Sequence, residues 1–335
     1  MDAELQDCRL CEWQCGVDRL AGEQGVCLLG EPQVALRTLH PAPPASYTVF
    51  MAGCNLRCLH CQNWDIAQWP EGRNRVDGHL AAGELAKEAL KALASSLGRG
   101  IGADRIFFSG GEATCSLPFV EEVVWQARKL DPSVRINFDT NGFMTEESLR
   151  RVLSWTTSVT FDLRAVDDEV HRALTGAPAG PVLRNARMIA EQPEKLWEFR
   201  ILVVPGVNDG QIEKLSWFIA GLGTELPVCF LAFRPNFVLE HHRGAPVSLM
   251  LKAVNTARDC GLRQVAWSGR TDLLGGPREL LQASLGPVSS LSDPGARLAA
   301  AYAMRAGCLR TVRDCGHCEA RLKCGVKSYR PIRCT

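Results

Sequence analysis

Three thiols fall within eight residues of this chain, in the stretch GCNLRCLHCQN at 53–63: Cys54, Cys58 and Cys61, separated by three residues and then by two. Soft ligands at this density suit zinc or iron–sulfur chemistry. Structural zinc is closed by four ligands, and catalytic zinc usually recruits His or carboxylate. His60 lies inside the triplet, but it directly precedes Cys61 and would have to fold back to share a metal. A tetranuclear iron–sulfur cluster (4Fe-4S) explains the spacing better. Three irons each take one thiolate, and the fourth iron stays open to a substrate or cofactor.

Two further groups flank the triplet: Cys8, Cys11, Cys15 and Cys27 near the start, and Cys315, Cys318, Cys324 and Cys334 near the end. Together the three groups take eleven of the fifteen cysteines. The others, Cys115, Cys229, Cys260 and Cys308, read as buried small hydrophobes. In a chain of 335 residues without an export signal, such clustering points to metal rather than disulfides. The opening MDAELQDCRLCEWQC has acidic residues where a secretory signal needs a basic and then an apolar stretch, so the expected location is cytoplasmic. No apolar run approaches the length of a membrane span. With 38 basic and 37 acidic residues the net charge is +1, so no global field draws in nucleic acid or an anionic membrane.

The elements that must position these residues follow from periodicity. After the proline-rich HPAPPASYTVF comes a strand at 47–51, and then short apolar runs alternate with helical segments: ELAKEALKALASSL, RIFFSG, PFVEEVVWQARKL, RINFDT, EESLRRVL, SVTFDL, VLRNARMIA, EFRILVVP, QIEKLSWFIAGL, VCFLAF and SLMLKAVNTARDC. These make six strands, each followed by a helix, with a short seventh near QVAWS. Repeated β-α units imply an α/β fold with a parallel sheet, either open or a barrel, and chemistry at the C-terminal ends of the strands. The polar stretches SGGE at 109–112, DTNG at 139–142 and FDLR at 161–164 all follow strands, as the triplet does.

C-x3-C-x2-C after the first strand, with GGE after the second, resembles the radical S-adenosylmethionine (SAM) superfamily. FDTNGFMTEESLRRVL, VTFDLRAVDDEVHRALTG and FRILVVPGVND are similar in order and spacing to the pyruvate formate-lyase activating enzyme branch over about 47–236, and CNLRCLHCQNWDIAQ resembles activase-like members with an N-terminal cysteine group. The resemblance implies a partial (β/α)6 TIM-type barrel. It also implies that the open iron is chelated by the amino and carboxylate groups of SAM, whose reductive cleavage yields methionine and a hydrogen-abstracting 5′-deoxyadenosyl radical.

Carried over position by position, Gly110, Gly111 and Glu112 would meet the methionine amino group. Asp139, Thr140 and Asp162 would lie around the SAM carboxylate and a monovalent cation, and Asn141 is a further cofactor-binding candidate. Arg164 stands where the activases have Lys, and a planar fork does not replace a point charge. Arg200 is a candidate for contact with SAM or substrate, and His60 stands where an aromatic residue usually lies beside the adenine. CGHCEARLKC, with Cys334 as a fourth thiol, resembles SPASM or twitch auxiliary-cluster extensions, although the upstream half of that pattern is missing.

The expected organisation is an N-terminal cysteine-rich auxiliary segment at 1–45, the partial barrel at 46–270, and a linker helix with a twitch-like segment at 271–335. Iron–sulfur is favoured over zinc in both outer groups, giving one SAM-binding and two auxiliary clusters. The expected function is hydrogen abstraction from a peptide or protein, with flavodoxin or ferredoxin as electron donor. Alternatives are a glycyl-radical-enzyme activase, radical modification of a small molecule or lipid, and, from a different class, a non-catalytic iron–sulfur electron carrier. His241 and His242 read as a solvated loop, and Trp13, Trp64 and Trp69 as packing or shielding near the cysteines.

Overall fold

The structure is a computed structural model that describes residues 2–69, 76–239 and 244–269. His241, His242, Cys308, Cys315, Cys318, Cys324, Cys334 and the linker helix expected before them lie outside the described residues. The strands are β1 (Val34–His40), β2 (Ser46–Met51), β3 (Arg105–Gly110), β4 (Arg135–Thr140), β5 (Ser158–Leu163), β6 (Leu196–Val203), β7 (Val228–Ala232) and β8 (Val265–Ser268). All seven strands read from the sequence are present. One more precedes them: β1 pairs antiparallel with β2, and after buried Val34 and Ala35 it alternates exposed with half-buried positions, as a strand with one solvated face does.

The chain divides into two compact units. The first takes in 1–55, 63–161 and 192–197, with β1 to β4 and most of β5; β2 to β5 are parallel. Their near-continuous burial is that of parallel strands covered on both faces. The covering helices have legible ends. Leu117–Leu130 carries Pro at its start and Arg128 and Lys129 in its last turn, which suits the helix dipole. Glu146–Trp155 is capped by Thr145, whose hydroxyl accepts from Ser148 N at 3.2 Å, with Glu146 and Glu147 in its first turn.

The second unit takes in 56–62, 162–191 and the described residues from 198 onward, with parallel β6, β7 and β8. Here the helix Asp168–Thr175 ends on Gly176, whose φ of 82° is the left-handed cap that glycine adopts without strain. Among the described residues no helix is long and apolar enough to cross a membrane.

Candidate functional site

In the first unit the loop with Cys54 is tied to the ends of β3 and β4. Gly53 O accepts from Glu112 N at 2.9 Å, and Met51 O accepts from Gly111 N at 2.8 Å. Gly110 ends β3, and its carbonyl accepts from Asn63 Nδ2 at 3.0 Å. The approach leaves no room for a side chain at 111, where a Cβ would lie 2.0 Å from Gly53 O.

Glu112 joins GGE to DTNG. Its Oε1 accepts from Thr114 N (3.2 Å), Thr114 Oγ1 (2.6 Å) and Thr140 Oγ1 (2.8 Å), and its Oε2 accepts from Asn141 N (2.8 Å). Only 2% of it is exposed, and burial pushes its carboxyl up to about 7 despite those donors. Asn141 Nδ2 then donates to Asn55 Oδ1 at 2.9 Å and to Cys54 Sγ at 3.7 Å. Asp139 accepts from Ser109 Oγ at 2.6 Å. Among the residues foreseen, Cys54, Gly110, Gly111, Glu112, Thr140 and Asn141 thus form one connected network. Asn55 and Thr114 join it unforeseen, and Ser109 pairs separately with Asp139, since only the fold reveals such polar pairings.

In the second unit the stretch with Cys58 and Cys61 is pinned to the end of the helix Asp168–Thr175: Arg57 N donates to Thr175 O at 2.8 Å and Leu59 N to Leu174 O at 3.0 Å. His60, between them, is 3% exposed, and neither ring nitrogen has a hydrogen-bond partner. Burial, then Arg164 and His171, hold its protonation well below the ordinary imidazole range. Asp162 and Arg164 form a largely buried ion pair at 2.6 Å, and Arg200 pairs with Glu198 at 2.6 Å. Glu198 was not foreseen, although its i, i+2 relation to Arg200 along β6 was readable.

His171 is a second unforeseen imidazole. Its Nδ1 lies 2.7 Å from Ala177 O, and burial lowers its pKa to about 4. The unfolded chain takes this proton near the ordinary 6.5, so the contribution of His171 is complete above that pH and lost as pH falls towards 4. The loss is at most roughly 3 kcal/mol. His171→Asn keeps an N–H for Ala177 O and does not titrate, so its urea stability is expected to change less than wild type between pH 7 and pH 5. Equal acid limbs would clear His171 of this role.

The four N-terminal thiols share one neighbourhood in the first unit. Cys27 and Cys15 lie within electrostatic reach of Cys11, and Cys27 and Cys8 within reach of Cys15. Burial pushes the Cys11 and Cys15 thiols up. Among the described residues no three His, Cys, Asp or Glu side chains draw close enough to hold a single metal ion. Zinc with Zn–S bonds of ~2.3 Å needs a tight shell, whereas a four-iron cage spreads its thiolates more widely. Cys229 and Cys260 are buried, as expected of small hydrophobes. Trp69 packs on an apolar cluster containing Cys27 and Cys115, while Trp13 Nε1 donates to Asn55 O at 2.8 Å.

The radical SAM superfamily model matches residues 48–218. A pyruvate formate-lyase-activating enzyme of Staphylococcus aureus (strain USA300) is 30% identical over 193 residues, covering 54% of this chain and 71% of the relative. The protein of the same name from strain NCTC 8325 / PS 47 matches equally, at 30% over 193 residues, again 54% of this chain and 71% of its own. Among solved structures, a domain of pyruvate-formate lyase-activating enzyme from Bacteroides vulgatus ATCC 8482 aligns with TM-score 0.42 and 20% identity, over 50% of this chain and 100% of its own. Streptococcus suis SuiB bound to precursor peptide SuiA aligns with TM-score 0.46 and 15% identity, over 64% of this chain and 46% of its own.

Proposed function

This chain belongs to the radical SAM superfamily, in the branch of the pyruvate formate-lyase-activating enzymes, and we propose that its substrate is a peptide or protein from which it abstracts hydrogen. It is a radical SAM enzyme, with SAM-dependent radical chemistry. The observation that carries the substrate proposal is the 30% identity over 193 residues to enzymes named for activating pyruvate formate-lyase, itself a protein.

The residues present fit a SAM-binding cluster. Cys54 Sγ already receives an amide N–H from Asn141, and His60 offers a buried imidazole with both nitrogens unpartnered. When bound, cluster and SAM supply a 5′-deoxyadenosyl radical able to remove a hydrogen atom. In this proposal Cys54, Cys58 and Cys61 hold the cluster, and Gly110, Gly111 and Glu112 meet the methionine amino group. Asp139, Thr140 and Asp162 lie around its carboxylate and a monovalent cation, and Asn141 is a further cofactor-binding residue. His60 meets the adenine, while Arg164 and Arg200 bind SAM or substrate. Flavodoxin or ferredoxin delivers the electron. The network around Glu112 holds GGE and DTNG in one fixed relation, which suits recognition of a small zwitterion by backbone groups.

The test uses anaerobically reconstituted protein with SAM and dithionite, supplemented with a perdeuterated cell extract split into macromolecules and small molecules. Deuterium is expected in 5′-deoxyadenosine with the macromolecular fraction. Deuterium from the small-molecule fraction alone would overturn the peptide reading in favour of a metabolite or lipid. No 5′-deoxyadenosine under any condition would leave an electron carrier.

A further inference from the structure

Arg19 is a guanidinium sealed inside the first unit at 2% exposure. Its Nε donates to Leu29 O and Gly30 O at 3.0 Å, and its Nη1 donates to Cys115 O at 2.7 Å and to Cys8 Sγ at 3.7 Å. Its Nη2 is buried with no partner. Guanidinium stays charged in proteins, and a buried charge requires an opposite one. Among the described residues no hydrogen bond or ion pair joins Arg19 to a carboxylate, and the ionisable groups acting on it most strongly are the sulfurs of Cys27, Cys8 and Cys115. Thiols become thiolates when they ligate metal.

Cys115 sits on the turn Ala113–Ser116, shortly after Glu112, and packs in one buried cluster with Cys27. It also lies within electrostatic reach of Cys11 and Cys54. Cys115 is therefore more than the buried hydrophobe its isolation in the sequence suggested. It is a fifth sulfur at the N-terminal group, brought there from the far side of the triplet.

We propose that Cys8, Cys11, Cys15 and Cys27 hold an anionic four-thiolate iron–sulfur cluster whose counter-charge is Arg19, and that Arg19 and Cys115 are its positioning residues, Arg19 donating a hydrogen bond to Cys8 and Cys115 packing its thiol in one buried cluster with Cys27. An iron–sulfur cluster with four thiolates carries net negative charge, which a buried cation beside it offsets. The proposal rests on the expectation that these four cysteines bind metal, and is independent of the SAM-cleaving triplet and of the substrate.

The experiment isolates this centre in the full-length chain with Cys54, Cys58, Cys61, Cys315, Cys318, Cys324 and Cys334 all changed to Ala, purified anaerobically and checked for folding by circular dichroism. Retention of about four irons with sulfide is expected, and about one zinc in their place would overturn the proposal. In that background Arg19→Met and Cys115→Ala are each expected to lose iron to a chelator at least about tenfold faster, the usual consequence of removing a group that supports a ligand. Arg19→Lys and Cys115→Ser, which keep a charge and a donor, are expected to recover part of that loss. Should Arg19→Met not fold, the Arg19→Lys and Cys115 variants still decide. A metal-free parent, or loss at the parental rate in both Arg19→Met and Cys115→Ala, would overturn the proposal. Because the parent lacks the triplet, neither result bears on the radical chemistry.

Discussion

Gly111→Ala is expected to destabilise the chain by on the order of 4 kcal/mol and to abolish 5′-deoxyadenosine formation. The added Cβ would stand 2.0 Å from Gly53 O, 2.8 Å from Gly53 C and 3.0 Å from Ala67 Cα. All three are backbone atoms, so no rotamer change relieves the clash. Relief requires the loop before Cys54 to part from the end of β3, which breaks the bonds from Glu112 N to Gly53 O and from Gly111 N to Met51 O. Gly180→Ala supplies the control, since its Cβ would meet nothing within 4 Å in the helix Ala179–Ala190. That change is expected to be neutral or stabilising by under about 1 kcal/mol. Urea denaturation of the two variants measures the contrast, and near-equal midpoints would refute the backbone contact.

Glu112→Gln removes almost no volume, yet it is expected to cost about 2 kcal/mol and about a hundredfold in turnover. Four N–H or O–H groups from Thr114, Thr140 and Asn141 converge on the carboxylate. An amide satisfies one side only. With its oxygen towards the threonines, its NH2 faces Asn141 N–H, donor against donor. The displaced Asn141 then loses its hold on Cys54.

The pH dependence has a definite sign. With the buried carboxyl held at about 7, the folded chain takes up a proton that the unfolded chain has already released near its ordinary 4.5. Wild type therefore loses stability as pH rises across that window, and the deficit of the Gln variant narrows from pH 5 to pH 7. Urea stabilities at the two values test this, and a deficit that widened would contradict it.

The β-α rhythm was legible because each parallel strand is buried on both faces and reads as an unbroken apolar run, as RIFFSG and SVTFDL do. β1 was not legible. Its residues Leu36, Thr38 and His40 are exposed on one face, and the prolines after it resemble a linker although they form the turn into β2. The same logic divides the site. Cys54, Cys58, Cys61 and GGE announce themselves by local spacing. Arg19, Cys115 and Asn55 gain their meaning from neighbours tens of residues away, and no local pattern marks them. Glu112 was legible as a motif residue, but its grip on Thr140 and Asn141 belongs to the packing of β3 beside β4.

Leu29, whose carbonyl receives Arg19, fills with its side chain the space directly over Gly53, where a Cβ would lie 2.4 Å from Leu29 Cγ. The residue before Cys54 is therefore backed by the same short segment that carries the first four thiols. Leu29 thus supplies the surface against which the loop before Cys54 is packed. Deleting residues 1–33 would thus leave a dent behind Cys54 instead of trimming an ornament, and the shortened chain would load its remaining thiols poorly.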